Sequence, residues 1–190
     1  MSARYSILAQ IRANRPTGQH DLPVVPDFTR PPSQGVLARF AENLQIMGGQ
    51  TLDADALADR LAKSEAVCST VPEVSGNIAL TSAAKQSDLA DVDVAVVRAA
   101  FAVAETGSIL LTENELGINS LAYLAQHLIV LLDPADVVDS TQHAYKQPHF
   151  LSANYACFHS GPSATADIEG VLIQGAQGVR SLTVVMAPRG

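Results

Sequence analysis

The sequence predicts an α/β fold in which helices cover both faces of a mostly parallel sheet. Short apolar segments typical of strands recur along the chain, separated by segments whose apolar residues follow helical spacing. Most of the strand-like segments are continuously apolar, as expected for strands covered on both faces. Together these observations favour an open parallel sheet, in which ligands bind outside the carboxyl ends of the strands.

The length favours a single domain spanning residues 1–190. The chain is 47% hydrophobic and 16% charged, which is enough apolar material for one sizeable core but not for two. We expect residues 1–34 to form an N-terminal helix followed by a proline-rich extended arm. Residues 35–190 are expected to form the α/β core.

The first elements are read from helical periodicity and from helix-breaking residues. An amphipathic helix is predicted over Ala3–Asn14, and it must end before Arg15–Gln34, where five prolines favour extended backbone. A second helix opens at Gly35 and is closed by the Gly48-Gly49 pair. A third begins after Asp53, a residue type that favours the N-cap position.

The rest of the chain alternates strand and helix signals. The predicted strands are Ala66–Thr70, Asn77–Leu80, Val92–Val97, Ser108–Thr112, Leu128–Leu132, Tyr155–His159 and Leu182–Met186. The predicted helices between them are Arg98–Ala104, Pro134–Ala144 and Ser163–Gln174.

Composition excludes several classes of function. The net charge is -7 and the basic residues are scattered, so we expect neither nucleic acid nor an anionic membrane as a partner. No signal peptide is visible, and the most apolar segment, Leu121–Leu132, is too short to span a bilayer, which predicts a cytoplasmic protein. Cys68 and Cys157 lie far apart and outside any C-x-x-C spacing, so they are interpreted as two buried structural thiols.

The first segment that could carry chemistry is the turn Ala104–Ser108, which leads into a predicted strand. Glu105 is a candidate general base or substrate-orienting carboxylate. Thr106 and Gly107 are candidate substrate-binding residues, because glycine lets a ligand or another loop approach the backbone closely. The alternative is that Thr106-Gly107 is a plain turn and Glu105 a solvated side chain.

The second segment, Tyr155–Gly178, reads as strand, tight turn and helix. Unpaired amide groups at the start of the predicted helix could bind an anion or a reacting oxygen, with Gly161, Ser163 and Thr165 as candidate substrate-binding residues and Asp167 as a candidate catalytic carboxylate. The alternative is that Ser163 or Thr165 caps the helix and Asp167 stabilises its first turn.

Other familiar chemistries are weakly supported. The segment Gly161–Thr165 only partly matches the G-x-S-x-G nucleophile elbow, because Thr165 replaces the last glycine. The five histidines lack metal-ligand spacing, and no phosphate-binding glycine motif is present. We therefore predict neither a metal nor a cofactor.

The two turns together resemble the LUD domain, and more narrowly the lactate-utilisation protein C family. The resemblance rests on the segments Ala104–Leu111 and Gly161–Glu169, and it is strongest over Val92–Met186. It implies a three-layer α/β/α fold of the NagB/RpiA/CoA-transferase-like type. It also implies a cytoplasmic role in oxidising L-lactate to pyruvate with iron–sulfur oxidoreductase subunits as partners, this chain being the component without a cluster.

The chain departs from the family pattern in several places: the segment Asn119–His127 lacks the expected arginine and proline, and two single positions also differ. Ala164 stands where the family usually has arginine, and Gln177 stands where it usually has histidine. The resemblance then implies either a less charged ligand or a degenerate site. Two alternatives to the lactate role stay open: a stand-alone enzyme or binding protein for a small carboxylate, folate-like or CoA-linked ligand, and a non-catalytic interaction module.

Overall fold

The computed structural model describes residues 2–16, 18, 21, 23–29, 32–80, 85–165, 173–174 and 178–189. Its α-helices are α1 (Ala3–Ala13), α2 (Val36–Ile46), α3 (Ala54–Leu61), α4 (Glu113–Leu116), α5 (Leu121–Leu124), α6 (Thr141–Ala144) and α7 (Pro148–Ser152). Its strands are β1 (Gln50–Leu52), β2 (Val67–Ser69), β3 (Val94–Arg98), β4 (Phe101–Val103), β5 (Ser108–Thr112), β6 (His127–Leu132), β7 (Val137–Val138), β8 (Ala156–His159), β9 (Ala164–Thr165), β10 (Ile173–Gln174) and β11 (Ser181–Met186).

A five-stranded, fully parallel sheet forms the centre of the protein. Its strand order is β1-β11-β6-β3-β2, so the middle strands come from distant parts of the sequence. Successive side chains of a strand point to opposite faces. In β3, Val94 and Val96 pack towards Leu57 of α3, whereas Ala95 and Val97 join the core cluster on the other face. Continuous apolar runs are therefore required here, because both faces are buried.

Helices cover the central sheet on both sides. Helix α3 packs on one face, and α2 places the fully buried Phe40 and Leu44 in the core of the other. This arrangement is consistent with a three-layer α/β/α fold and confirms the predicted α/β class with a mostly parallel sheet.

A second, four-stranded sheet of order β7-β4-β5-β8 lies beyond the α2 side of the core. The hairpin β4–β5 directs Ala102, Ile109 and Leu111 towards that core. Its opposite face carries Phe101 and Leu110, which form a separate cluster under α6 and α7. This sheet holds both turns that the sequence analysis identified.

Three predictions outside the turns were wrong. The predicted helix Arg98–Ala104 contains strand β4, since its consecutive apolar residues fill a sheet buried on both faces. The predicted helix Pro134–Ala144 is divided into a 3₁₀ turn at Pro134–Asp136, strand β7 and the short helix α6. The predicted strand Asn77–Leu80 contributes a single bridge, between Ile78 and Cys68.

The predicted helix Ser163–Gln174 was also wrong at both ends. Ala164–Thr165 and Ile173–Gln174 are the paired strands β9 and β10 of an antiparallel ribbon. The amide of Ser163 donates to the main-chain oxygen of Val179 at 2.9 Å, so it is unavailable as a free helix-opening donor. The candidate Asp167 and the departure at Gln177 lie outside the described residues.

Part of the proline-rich arm lies along α6, as the extended-arm prediction allows. The Gln142 amide holds the arm's backbone from both sides: it accepts from the N–H of Phe28 at 3.0 Å and donates to the oxygen of Pro26 at 2.7 Å. Asp27 lies 2.9 Å from the Nε2 atom of His143. Helix α1 has no buried residue, and none of the described helices is long and apolar enough to cross a membrane.

Candidate functional site

The two turns meet at the C-terminal end of α2. The first turn joins β4 to β5, and the second follows β8, which pairs with β5 in register Ile109 to His159. That register brings Ser108 and Ser160 side by side, one from each turn. Sheet pairing thus joins segments that are about fifty residues apart in the sequence.

Gly107 fits the first turn against the backbone of α2. Its φ angle of 63° lies in the left-handed region, and a Cβ atom here would come within 2.2 Å of the Leu44 amide nitrogen. The Asn43 side chain fastens the same turn, because its Nδ2 atom donates to the main-chain oxygens of Ala104 at 2.8 Å and Glu105 at 3.0 Å. This turn is buried at Gly107 and fixed to the helix.

Gly161 makes the equivalent close approach from the second turn. A Cβ atom on Gly161 would lie 2.1 Å from the main-chain oxygen of Met47, the C-cap residue that follows α2. Gly178 in turn approaches Ser163, whose Cβ would be 3.1 Å from an added Cβ. Glycine is therefore required at Gly161 by contact with the helix end.

A chain of three hydroxyl groups connects the turns. The Oγ atom of Ser108 lies 2.7 Å from Thr106 Oγ1 and 2.6 Å from Ser160 Oγ. Ser108 is buried, whereas Thr106 is exposed. A hydroxyl group both donates and accepts, so the donor and acceptor roles of these three groups are linked from one turn to the other.

Glu105 points away from the hydroxyl chain and towards α6. One of its carboxylate oxygens accepts the N–H of Thr141, the first residue of α6, at 2.8 Å. This hydrogen bond lowers the pKa of Glu105 below its ordinary value. The carboxylate of Glu105 therefore stabilises the start of α6 by accepting this hydrogen bond, and its role as a catalytic base stays a prediction.

A cleft of about 400 Å³ opens beside the second turn, and we call it the α2 cleft. Its volume lies within the range of small-molecule sites. Strand β8 and its following turn form one wall, and α5 and the residues before β11 form the others. The side chains that carry chemistry here are those of Tyr123, Cys157, His159, Ser160 and Ser163.

Tyr123 is the centre of a polar network in the α2 cleft. Its hydroxyl lies 2.6 Å from the hydroxyl of Tyr155 and donates to Cys157 Sγ at 3.1 Å. Burial, followed by these two neighbours, raises the pKa of Tyr123 above its ordinary value. Tyr123 is therefore protonated at neutral pH and acts as a hydrogen-bond donor.

His159 is a neutral imidazole within this cleft. Burial lowers its pKa, and its Nε2 atom is enclosed without a hydrogen-bond partner. Its ring packs on that of Tyr123, with centroids 5.4 Å apart. A buried polar atom without a partner is uncommon in folded proteins, which makes His159 a functional candidate.

A smaller cleft of about 320 Å³ lies on the other side of the hydroxyl chain. Glu105, Thr106 and Asn43 line it, and Ser160 and Met47 border both clefts. Ser160, at one end of the hydroxyl chain, and Met47 therefore lie between the two clefts.

The structure brings together most of the predicted site residues. Thr106, Gly107, Gly161 and Ser163 all lie around the end of α2, and Thr165 follows in β9. Ala164 lines the α2 cleft, so the departure from arginine leaves no cationic side chain at that point of the wall. Their assignment to substrate binding stays a prediction.

Sequence reasoning missed the polar face of β8. Tyr155, Cys157 and His159 alternate at strand period and therefore share one side of the sheet. Only Cys68 matches the buried-thiol interpretation fully, because Cys157 is half-buried and lines the cleft. The period-two pattern could have identified this face.

Among the described residues, no group of three or more histidine, cysteine or acidic residues could hold a metal ion.

Comparison with known proteins gives two matches. A family model described as the LUD domain matches residues 37–186. A crystal structure of a DUF162 family protein from Deinococcus radiodurans is similar in fold, with a TM-score of 0.55 and 16% sequence identity, over 80% of this chain and 95% of that one. No curated protein matches the chain.

Proposed function

Because this chain belongs to the LUD domain family, we propose that it is the cluster-free component of an L-lactate utilisation system. In that role it acts with iron–sulfur oxidoreductase subunits that oxidise L-lactate to pyruvate. The observation that carries the proposal is the family match over residues 37–186, since the LUD family is associated with lactate utilisation proteins.

The cysteines support the cluster-free assignment. Common iron–sulfur clusters are held by four cysteine thiolates, and this chain has two cysteines. Cys68 belongs to β2 of the central sheet and Cys157 to β8 of the second sheet. Oxidation of L-lactate releases two electrons and two protons, so the electrons require acceptors that the partner subunits would provide.

Growth of the native host tests this proposal. Deletion of the gene is expected to prevent growth on L-lactate while leaving growth on pyruvate unchanged, because pyruvate enters metabolism after the oxidation. A plasmid copy should restore growth, and the tagged protein should co-purify with iron–sulfur subunits. Unchanged growth of the deletion strain on L-lactate would refute the proposal.

The open α2 cleft favours a second candidate, the binding of a small ligand. Its described lining has no charged side chain at neutral pH, since His159 is neutral there. Such a wall suits the uncharged polar part of a small carboxylate, folate-like or CoA-linked ligand. An interaction module with a degenerate site is less favoured, because side chains do not fill the cleft.

Thermal unfolding with a panel of acyl-CoAs, folates and small carboxylates tests this candidate. A ligand at tenfold excess over its Kd should raise Tm by about 3–6 °C. The Tyr123→Phe variant, which lacks the central hydroxyl, should show a smaller shift. A panel that leaves the Tm of the wild-type protein unchanged argues for the interaction module instead.

A further inference from the structure

Helix α1 carries an apolar face that its own chain leaves exposed. Arg4, Ile7, Leu8, Ile11 and Arg12 follow helical spacing and therefore share one face of the helix. Ile7 and Ile11 are 56% and 60% exposed, and no residue of α1 is buried. An isolated helix of 11 residues is only marginally stable in water, so a contact that covers this face would stabilise it.

The charges of α1 define the surface that it fits. Residues 1–20 include three arginines and no acidic residue, and two of these arginines lie on the apolar face. Two α1 helices packed face to face would bring like charges together, which is unfavourable. The opposite face offers only small or neutral side chains, those of Ser6, Ala9, Gln10 and Ala13. Helix α1 therefore fits a surface that is both apolar and acidic.

The end of α2 provides such a surface, and we call Glu42, Ile46, Met47 and Glu105 the α2-end patch. Ile46 and Met47 are 71% and 52% exposed, and both line the smaller cleft together with Glu105. Glu42 is exposed and lies one helical turn before Ile46. Two carboxylates thus border exposed apolar side chains, which is the complement in charge of the α1 face.

The negative charge of the α2-end patch is available to a cation. The hydrogen bonds described for Glu42 and Glu105 come from neutral groups. Arg39, whose charge also acts on Glu105, is paired with Asp139 at 3.0 Å. Helix α2 has no basic residue in its last turn, where the helix dipole favours a positive charge. Arginine side chains of a docked α1 would supply that charge.

A second copy of the chain is the occupant that these charges favour. Residues 21–190 hold 19 acidic and 9 basic residues, so the body of the protein attracts the basic helix. The family match begins at residue 37, and α1 with its arm precedes the matched domain. In a two-fold dimer each α1 meets the patch of the other copy, so the contact is made twice. This doubling brings the buried area towards the roughly 1,000 Å² expected of a specific interface.

We infer that α1 of one copy docks on the α2-end patch of a second copy, reciprocally in a two-fold dimer. Ile7 and Ile11 then cover Ile46 and Met47, while the arginines of α1 face the two carboxylates. This interface goes beyond the proposed function, which concerns other proteins as partners. A docked α1 also covers the smaller cleft, because Ile46 and Met47 line it.

Sedimentation velocity of the purified full chain tests the inference. The wild type should form a reversible dimer, and raising the salt concentration from about 0.05 to about 0.5 M should weaken it at least about threefold. Arg12→Gln should weaken dimerisation about three- to tenfold and Ile11→Gln at least about tenfold, because each change acts twice in the dimer. Neither variant removes a buried side chain, so the body of the protein stays folded.

The opposite face of α1 provides matched controls. Gln10→Glu changes the net charge as much as Arg12→Gln does, and Ala13→Gln introduces the same side chain as Ile11→Gln. Both controls should leave the dimerisation constant within about twofold of the wild-type value. Controls that weaken the dimer as much as the variants of the apolar face would overturn the inference.

Photo-cross-linking distinguishes a second copy from the helix's own chain. The photoreactive p-benzoylphenylalanine replaces Tyr5, which is exposed beside the apolar face, in a mixture of isotope-labelled and unlabelled chains. Cross-links should join labelled to unlabelled peptides, and the acceptor peptide should contain Met47. Cross-links confined to single chains, an acceptor peptide elsewhere, or a chain that stays monomeric at about 0.2 mM would each overturn the inference. A monomer would leave α1 to a different protein.

Discussion

Replacement of Gly107 by alanine tests whether the first turn is built by contact with α2. The added Cβ would lie 2.2 Å from the Leu44 nitrogen, 2.5 Å from the Asn43 carbonyl carbon and 2.7 Å from the Leu44 Cα. All three are backbone atoms of a helix, so no side-chain rotation relieves the overlap. Either the turn or α2 must move.

Two costs add in this variant. Alanine in left-handed backbone costs about 1–2 kcal/mol. Separating the turn from α2 breaks the two hydrogen bonds donated by the Asn43 amide, each worth about 0.5–1.5 kcal/mol. We therefore expect Gly107→Ala to lower the free energy of unfolding by about 2–5 kcal/mol, a large share of a typical domain's stability.

Gly35→Ala is the matched control, because it separates backbone strain from overlap. Gly35 precedes the same helix with a φ of 86°, but an added Cβ would meet nothing within 4 Å. With a ψ of 157° its backbone lies in a region that glycine alone adopts readily, so its loss should be only about 1–3 kcal/mol. Urea unfolding followed by circular dichroism measures both variants. Equal losses at the two positions would refute the argument that contact with α2 requires Gly107.

Two further predictions concern the thiols and Glu105. In the native protein, Ellman's reagent should label Cys157 in the α2 cleft at least about a thousandfold faster than the fully buried Cys68. The Cys157→Ser variant should lose this fast phase. Two equally fast thiols would contradict the prediction. Glu105→Gln should cost about 0.5–1 kcal/mol in urea unfolding at pH 7, since Glu105 accepts the Thr141 N–H. Because folding depresses the pKa of Glu105, the difference in free energy of unfolding between wild type and Glu105→Gln should persist above about pH 4.5 and shrink as the pH falls further. A difference that stays constant down to about pH 3 would argue against the hydrogen bond.

The central sheet could be predicted because its strands obey one local rule. Residues Val94–Val97 and Leu128–Leu132 are apolar without interruption, as burial on both faces demands. The same rule failed at Phe101–Val103. That segment is also buried on both faces, but it was included in the predicted helix Arg98–Ala104, because no turn residue separates it from Arg98. A second sheet is a long-range property, and its pairings leave no local signal.

The candidate site, like the fold, could be predicted from the sequence only in part. Both turns could be located from Gly107 and Gly161, because a glycine that follows an apolar segment indicates a turn. Their meeting at α2 could not, since it depends on the pairing of β5 with β8. The ion pair of Arg98 with Glu73 was equally hidden, because the two residues become neighbours only when β2 and β3 pair.

The geometry changes what the two turns mean chemically. Gly107 and Gly161 are each required by backbone atoms of α2 and Met47, so packing explains these glycines without a ligand. The side chains that remain available to a ligand are therefore the neighbours of the motifs, above all Ser160, Cys157 and His159. Variants of the glycines would disturb the scaffold and the site together, and they would report stability rather than chemistry. Substitutions of Cys157 and His159, the half-buried side chains of β8 that line the α2 cleft, separate the two, because they alter the wall of the cleft while leaving the contacts of Gly107 and Gly161 with α2 and Met47 intact.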